Sequence, residues 1–240
     1  MLRIKLSCLC LTVVLATCMA AVAEASAEPE HIYKIEQVKL EAGKVKEITA
    51  KLKPGTEFTI ETTGPFGIKS VIKCKKIKLN PAEKPAIVGG VPGRSEKEKF
   101  EFEECAATVG GAKCEKATIE TALINNELVS IVAPVIKKEL LAMLFTPAVG
   151  KVFMKIKLVK CGIFGNQLAE VEGTTAAQIV PEKIDVIALV LVWSKVEEIT
   201  LVKSQNGVMS AVGLKATGNV ASFGGEVELE LLSKEKWGVF

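Results

Sequence analysis

Phe100-Glu101-Phe102-Glu103-Glu104-Cys105, a Gly110-Gly111 loop, then Cys114-Glu115-Lys116-Ala117-Thr118-Ile119-Glu120-Thr121 running on to Leu123: this stretch decides the fold class. Apolar and polar residues alternate on both sides of the loop, the repeat of a strand with one buried and one wet face. A cysteine stands at the inner end of each run. Cys74 and Cys161 lie one on each side of the unit. Four cysteines so placed predict disulfides that tie strands together.

Outward from this unit, the chain divides at residue 27. Arg3 and Lys5 make a short basic start, and Leu6 to Ala23 is an almost unbroken apolar run. Ala21-Val22-Ala23 and Ala25-Ser26-Ala27 both fit a small-x-small cleavage site, so residues 1–27 read as a secretory signal peptide. A retained membrane anchor competes with this reading. So does lipidation at Cys18 in Leu15-Ala16-Thr17-Cys18, although Thr17 fits poorly before an acceptor cysteine. No later run is long and apolar enough to span a bilayer. Residues 28–240 read as a single β-rich domain, with 28–64 as a peripheral hairpin.

Of the seven cysteines, Cys8, Cys10 and Cys18 leave with the leader, and an even four remain. Two pairings compete. Cys74–Cys105 with Cys114–Cys161 joins neighbouring strand segments, while Cys105–Cys114 with Cys74–Cys161 closes the small loop. Parity speaks against the first. Cys105 shares the parity of Glu101 and Glu103, whereas Cys74 shares that of Ile72. Bulges at Lys75-Lys76 and at Glu103-Glu104 would reconcile them. Lys69, Lys73 and Lys75 would then lie across from Glu101 and Glu103.

The leader takes Arg3, Lys5 and Glu24 with it, leaving 29 basic against 27 acidic residues. This near-neutral mixture argues against a nucleic-acid partner, which wants a concentrated basic face. With nine Phe, two Trp and one Tyr, the core is built mainly from aliphatic residues.

Along the mature chain, Glu28 to Gly43 reads as polar and loosely held at its start. Ile48, Ala50 and Leu52, the Pro54-Gly55 turn, and Phe58, Ile60 and Thr62 read as a hairpin. Asn80 to Arg94, with three prolines and three glycines, reads as a long loop. Ser95-Glu96-Lys97-Glu98-Lys99 reads as a solvated approach to the strand. Asn125-Asn126 reads as a turn, and Val135 to Phe145 as either helix or strand. Lys151 to Cys161 and Gln167 to Val180 read as strands, the second weakened at Gly173. Ile187 to Trp193 is apolar on both parities, which makes Trp193 a core residue. Asn206-Gly207 is the strongest hairpin signal in the chain. The apolar end, Trp237 to Phe240, is expected to dock on the body. More than ten short strands predict an all-β protein: an antiparallel β-sandwich or barrel with two disulfides and at most one short helix.

The order Lys73-Cys74, Phe100-x-Phe102-x-x-Cys105, Lys113-Cys114, Ile119-Glu120-Thr121-x-Leu123, Glu127-Leu128, Phe153, Cys161 and Val171-Glu172-Gly173 resembles a group of uncharacterised, secreted, β-rich, cysteine-containing bacterial proteins. The match covers about residues 70–180. It implies export and the fold class, and it brings no activity with it.

Chemistry is sparse. His31, the single histidine, lies far from the cysteines and reads as a surface residue without a role. No Cys-x-x-Cys pair suggests a metal, and no cofactor fingerprint or nucleophile motif is present. The chain is therefore expected not to be an enzyme and to need no cofactor. It reads as a secreted or cell-envelope structural or interaction module, with a cell-surface protein or envelope component as partner. The alternative is a carrier of a small apolar ligand in a β-barrel cavity. A carboxylate-based hydrolase ranks behind both.

Overall fold

The structure is a computed structural model and describes residues 30–133, 138–180, 185–194 and 200–240. The leader expected over residues 1–27 and the strand end expected at Pro181 lie outside the described residues. His31–Phe240 forms one unit. Its first strands are β1 (Tyr33–Ile35), β2 (Val38–Lys39), β3 (Val45–Leu52), β4 (Phe58–Thr63), β5 (Lys69–Leu79), β6 (Ala86–Val88), β7 (Arg94–Glu98), β8 (Phe100–Val109), β9 (Ala112–Lys113) and β10 (Lys116–Thr121). There follow β11 (Ile124–Ala133), β12 (Lys138–Pro147), β13 (Val152–Val159), β14 (Gln167–Val180), β15 (Ala188–Trp193), β16 (Thr200–Lys203), β17 (Met209–Ala216), β18 (Asn219–Leu231) and β19 (Trp237–Val239). Among the described residues the only helices are three single turns of 3-10 type. The protein is all-β, with two disulfides.

The order β19-β1-β2 makes a small sheet of its own, and the other strands join one antiparallel sheet. From Ile32 on, the N-terminal segment is held in this sheet, while the start of the segment, Glu28 and Pro29, lies outside the described residues. Ile32, Tyr33, Ile35 and Leu40 are buried, and Tyr33 lies 6.0 Å from the Trp237 ring. Ile32 and Phe240 exchange backbone hydrogen bonds, so the apolar terminus does dock.

The expected hairpin over Val45 to Thr62 does not form. β3 and β4 do not pair with each other; both lie against β18 on one side and β5 on the other. Pro54-Gly55 interrupts one long interior strand instead of reversing it, and the Lys53 amide keeps the strand on its partner by donating to the Glu226 carbonyl. The expected loop over Asn80 to Arg94 contains β6, which bridges β3 and β7. Asn125-Asn126 is not a turn but part of β11, and Lys138–Pro147 is a strand paired with it.

The disulfides are Cys74–Cys105 and Cys114–Cys161, with Cα separations of 4.0 and 3.9 Å. Cys74 stands directly opposite Cys105, and the register runs unshifted from Ser70↔Val109 to Leu79↔Phe100. Both strands nevertheless change face at the same level. Lys75 and Lys76 are both exposed, and across from them Glu103 and Glu104 both turn outward. Glu104 takes a φ of 54° to do so. The two expected bulges are thus one feature: the face change on one strand cancels that on the other, and both cysteines reach the core side. The charge partners differ from expectation for the same reason. Lys78 meets Glu101 and Glu103 at 3.2 and 2.6 Å, Lys76 meets Glu104, and Lys73 turns to Glu57.

The main core is aromatic at its centre. Phe58 contacts Phe102, Trp193 and Phe223, and Phe145 contacts Phe100 and Trp193. Trp193 is a core residue, 6% exposed. Such clusters add edge-to-face and tilted ring contacts to the burial of a large apolar area.

Candidate functional site

The Asn206-Gly207 hairpin forms between β16 and β17, with Gly207 at φ 79°. What it does next is not evident from its own residues. β17 pairs with β14, and β16 pairs with β11. Through β11–β12 and β12–β14 the pairings close into a ring of five strands. A second, separate apolar cluster fills that ring: Val129, Ala142, Val202 and Val212, with Ile131, Leu144 and Ala176 around them. β11 and β12 are therefore covered on both faces, and Leu128 and Met143 point into the main core.

The ring needs Gly173. The amide of this residue donates to the Lys151 carbonyl, and its register partner on β17 is Leu214. On one edge, β14 changes partner here from β13 to β12. A β-carbon at Gly173 would stand 2.3 Å from the Gly213 carbonyl oxygen, and the φ of 110° is one that side chains rarely adopt. The weak point in the strand pattern is the crossing point of two strands.

On the other edge, β14 pairs with β17 through Thr174 and with β15 from Gln178. β18 likewise pairs with β17 up to Ala221 and with β15 from Gly225. Between those ladders Thr175 and Ala176 face Ser222 and Phe223 across a cleft of about 410 Å³. Its walls also include Ile131, Leu140, Val192, Trp193, Val212 and Leu214, with Gln178, Thr200 and Lys215 among the polar lining. Lys215 makes no ion pair among the described residues. The volume and the apolar walls fall within the range of small-molecule sites.

A second polar feature lies beside β7. Ile124 pairs with Glu98 and Asn126 with Ser95, so Glu96 and Lys97 stand against the single residue Asn125. This bulge, with Lys97 at φ 60°, turns both Ser95 and Glu98 inward. The solvated approach read over Ser95 to Lys99 is thereby corrected: both side chains are fully buried. The Ser95 hydroxyl donates to Glu98 Oε1 at 2.7 Å. Burial pushes the Glu98 carboxyl up to about 7, against smaller opposing pulls from Ser95 and Asn126. Asn126 faces the acid without hydrogen-bond geometry, and Glu98 Oε2 and the Tyr33 hydroxyl lack partners among the described residues. Burial first, then the charge of Glu98, raises Tyr33 well above the usual phenol range.

His31 is buried too, farther along β11, and is not a surface residue. It is 7% exposed, with Nε2 3.2 Å from the Ser130 hydroxyl. Its amide donates to Gln205 Oε1, and its carbonyl accepts from Gly93. Sequence reading missed this cluster because its members come from β1, β7 and β11. Among the described residues no group of His, Cys, Asp or Glu could hold a metal ion. Cys74, Cys105, Cys114 and Cys161 are joined as disulfides. Comparison with family models, curated proteins and solved structures finds no match. The fold thus presents an apolar cleft able to hold a ligand, and a sealed polar seam that joins the N-terminal segment to the sheet.

Proposed function

We propose that this is an exported binding protein that carries a small apolar ligand in the cleft between β14 and β18. One observation carries the reading: a cleft of about 410 Å³ opens on the five-strand ring, walled by Ile131, Leu140, Ala176, Val192, Trp193 and Phe223. Apolar walls with a few neutral polar groups and one lysine suit holding a ligand more than reacting with it. Two disulfides are compatible with an oxidising compartment outside the cell. The envelope interaction module, first in the sequence reading, becomes the second, favoured by the fully exposed Phe66 and the nearly fully exposed Ile163.

The test is uptake of the neutral apolar fluorophore phenylnaphthylamine, with native mass spectrometry of the purified protein. A β-carbon at Gly213, on the cleft wall, would meet open space. Gly213→Phe should therefore block the mouth without disturbing the fold. One-to-one uptake that Gly213→Phe abolishes, at unchanged circular dichroism, supports the reading. A protein that is bare in the native spectrum and does not take up the probe overturns it.

A further inference from the structure

Along the paired strands, lysines on the outer faces meet glutamates: Lys51 with Glu228 and Glu230, Lys78 with Glu101 and Glu103, Lys155 with Glu170. One pole breaks this pattern. The turn before β5, the Gly110-Gly111 turn between β8 and β9, and the Gly162–Phe164 turn after β13 converge there. The Gly110 amide donates to the Lys69 carbonyl at 2.8 Å. A β-carbon on Gly110 would lie 2.7 Å from the Phe164 ring and 3.6 Å from the Ile68 side chain. One on Gly162 would lie 3.0 Å from that of Ala112. The Cys114–Cys161 disulfide clamps the same pole.

From these turns and the adjoining start of β14, three apolar side chains stand in solvent: Phe66 at 100%, Ile163 at 94% and Leu168 at 72% exposure. Around them are Lys69, Lys113, Lys116 and Lys157, all exposed and none in an ion pair among the described residues. Lys157 is the register partner of Leu168. The acidic residues beside these tips are already paired: Glu115 with Lys160 at 2.9 Å, and Glu170, two residues on from Leu168, with Lys155 at 3.3 Å. Separate apolar tips projecting from a positively charged end do not form the groove or flat patch that a protein partner fills. They match an interface in which single side chains dip between headgroups while lysines meet phosphates.

We propose that this pole docks on a lipid surface bearing anionic headgroups. Phe66, Ile163 and Leu168 enter the boundary between headgroups and acyl chains, and Lys69, Lys113, Lys116 and Lys157 face the lipid phosphates. The site is separate from the cleft and does not depend on its occupancy.

The experiment is vesicle co-sedimentation of the disulfide-bonded protein with its apolar leader removed, which leaves the unit His31–Phe240 intact. The vesicles are phosphatidylcholine, alone or mixed with phosphatidylglycerol. Binding should require phosphatidylglycerol and weaken with added salt. It should fall about tenfold or more in the triple variant Phe66→Ser, Ile163→Ser, Leu168→Ser, and again when the four lysines become serine. Val149→Ser, at an exposed apolar site outside these segments, should change nothing. A Phe66→Trp variant should shift its emission to the blue on vesicle addition. The proposal is overturned if there is no sedimentation, or if sedimentation is indifferent to both multiple variants. It is equally overturned by a vesicle-free dimer that the triple variant dissolves, because the tips then serve a second copy of the chain.

Discussion

Gly173 of β14 and Gly213 of β17 approach so closely that a β-carbon on the first would stand 2.3 Å from the carbonyl oxygen of the second. The oxygen belongs to backbone and the backbone fixes the place of the β-carbon, so no rotamer change relieves the contact. The substitution Gly173→Ala must push β17 away from β14 or force the strand out of its φ of 110°. The expected cost is about 3 kcal/mol or more. The ring of β11, β12, β14, β17 and β16 should open first, because its core is small. Hydrogen exchange checks this: amides of β16 and β17 should lose protection before those of β5 and β8.

Glu98 predicts an unusual response to pH. Its carboxyl is raised in the folded protein from 4.5 to about 7. Between those values the folded state holds a proton that the unfolded chain releases, so stability falls as pH rises through this window. The full effect is about 3 kcal/mol at most. Glu103, Glu230 and Glu235 shift the other way, lowered by Lys78, by Lys234 and Lys51, and by Lys46 respectively. Their contribution is present above the ordinary carboxylate range and lost below it. Stability should therefore peak on the acid side of neutrality. Glu98→Gln should leave the protein at about pH 5 nearly unchanged and make it more stable at about pH 8. Denaturant melts of both proteins at the two pH values check this, and a wild-type curve flat between them would sink it.

These two sites show what the sequence makes legible. Face changes can be read locally, because two adjacent charged residues interrupt an alternating run. Lys75-Lys76 and Glu103-Glu104 mark theirs, and through them the pairing of Cys74 with Cys105 is accessible. Glu96-Lys97 carries the same mark, yet there the following glutamate is buried, since its cover comes from Tyr33 and β11. No pattern within Ser95 to Lys99 distinguishes a solvated glutamate from one sealed by a distant strand. The β16–β17 hairpin was likewise legible from Asn206-Gly207. Its closure on β11 and β14, which creates the cleft, depends on non-local pairing that periodicity does not encode.

The register between β5 and β8 offers a charge test. Lys78 lies between Glu101 and Glu103, about half exposed, and its amine is raised by hydrogen bonds to Glu103 first and then Glu101. Lys78→Glu should lower the thermal midpoint by only about two degrees, as expected for a surface pair. Adding Glu103→Lys should restore it, while Glu57→Lys, at the partner of Lys73, should not. Thermal melts of the single and double variants at low salt decide the matter. Rescue by Glu57→Lys would place the strands in a different register.

The two disulfides should fail in different ways. Cys74–Cys105 lies inside a continuous ladder, so its neighbours Lys73↔Ala106 and Lys76↔Glu103 still hold the strands together without it. Cys114–Cys161 lies beyond the ladder of β10 and β13, which begins at Lys116↔Val159. Outside that end the Glu115 amide bond to Val159, the Glu115–Lys160 pair, the bond from the Cys114 amide to Ala107 and the bonds within the turns secure the pole. Closing spans of 31 and 47 residues, each bond contributes up to about 4 kcal/mol by restricting the unfolded chain. Replacing Cys74 and Cys105 by serine should lower global stability while the native protein stays resistant to protease. Replacing Cys114 and Cys161 should also open the pole locally, a sub-global event of low free energy. Trypsin should then cut early after Lys113 or Lys160, well below the denaturant concentration that unfolds the body. Equal resistance of both double-serine variants would mean that the turns, through Phe164 packed on Gly110, hold the pole without the covalent bond.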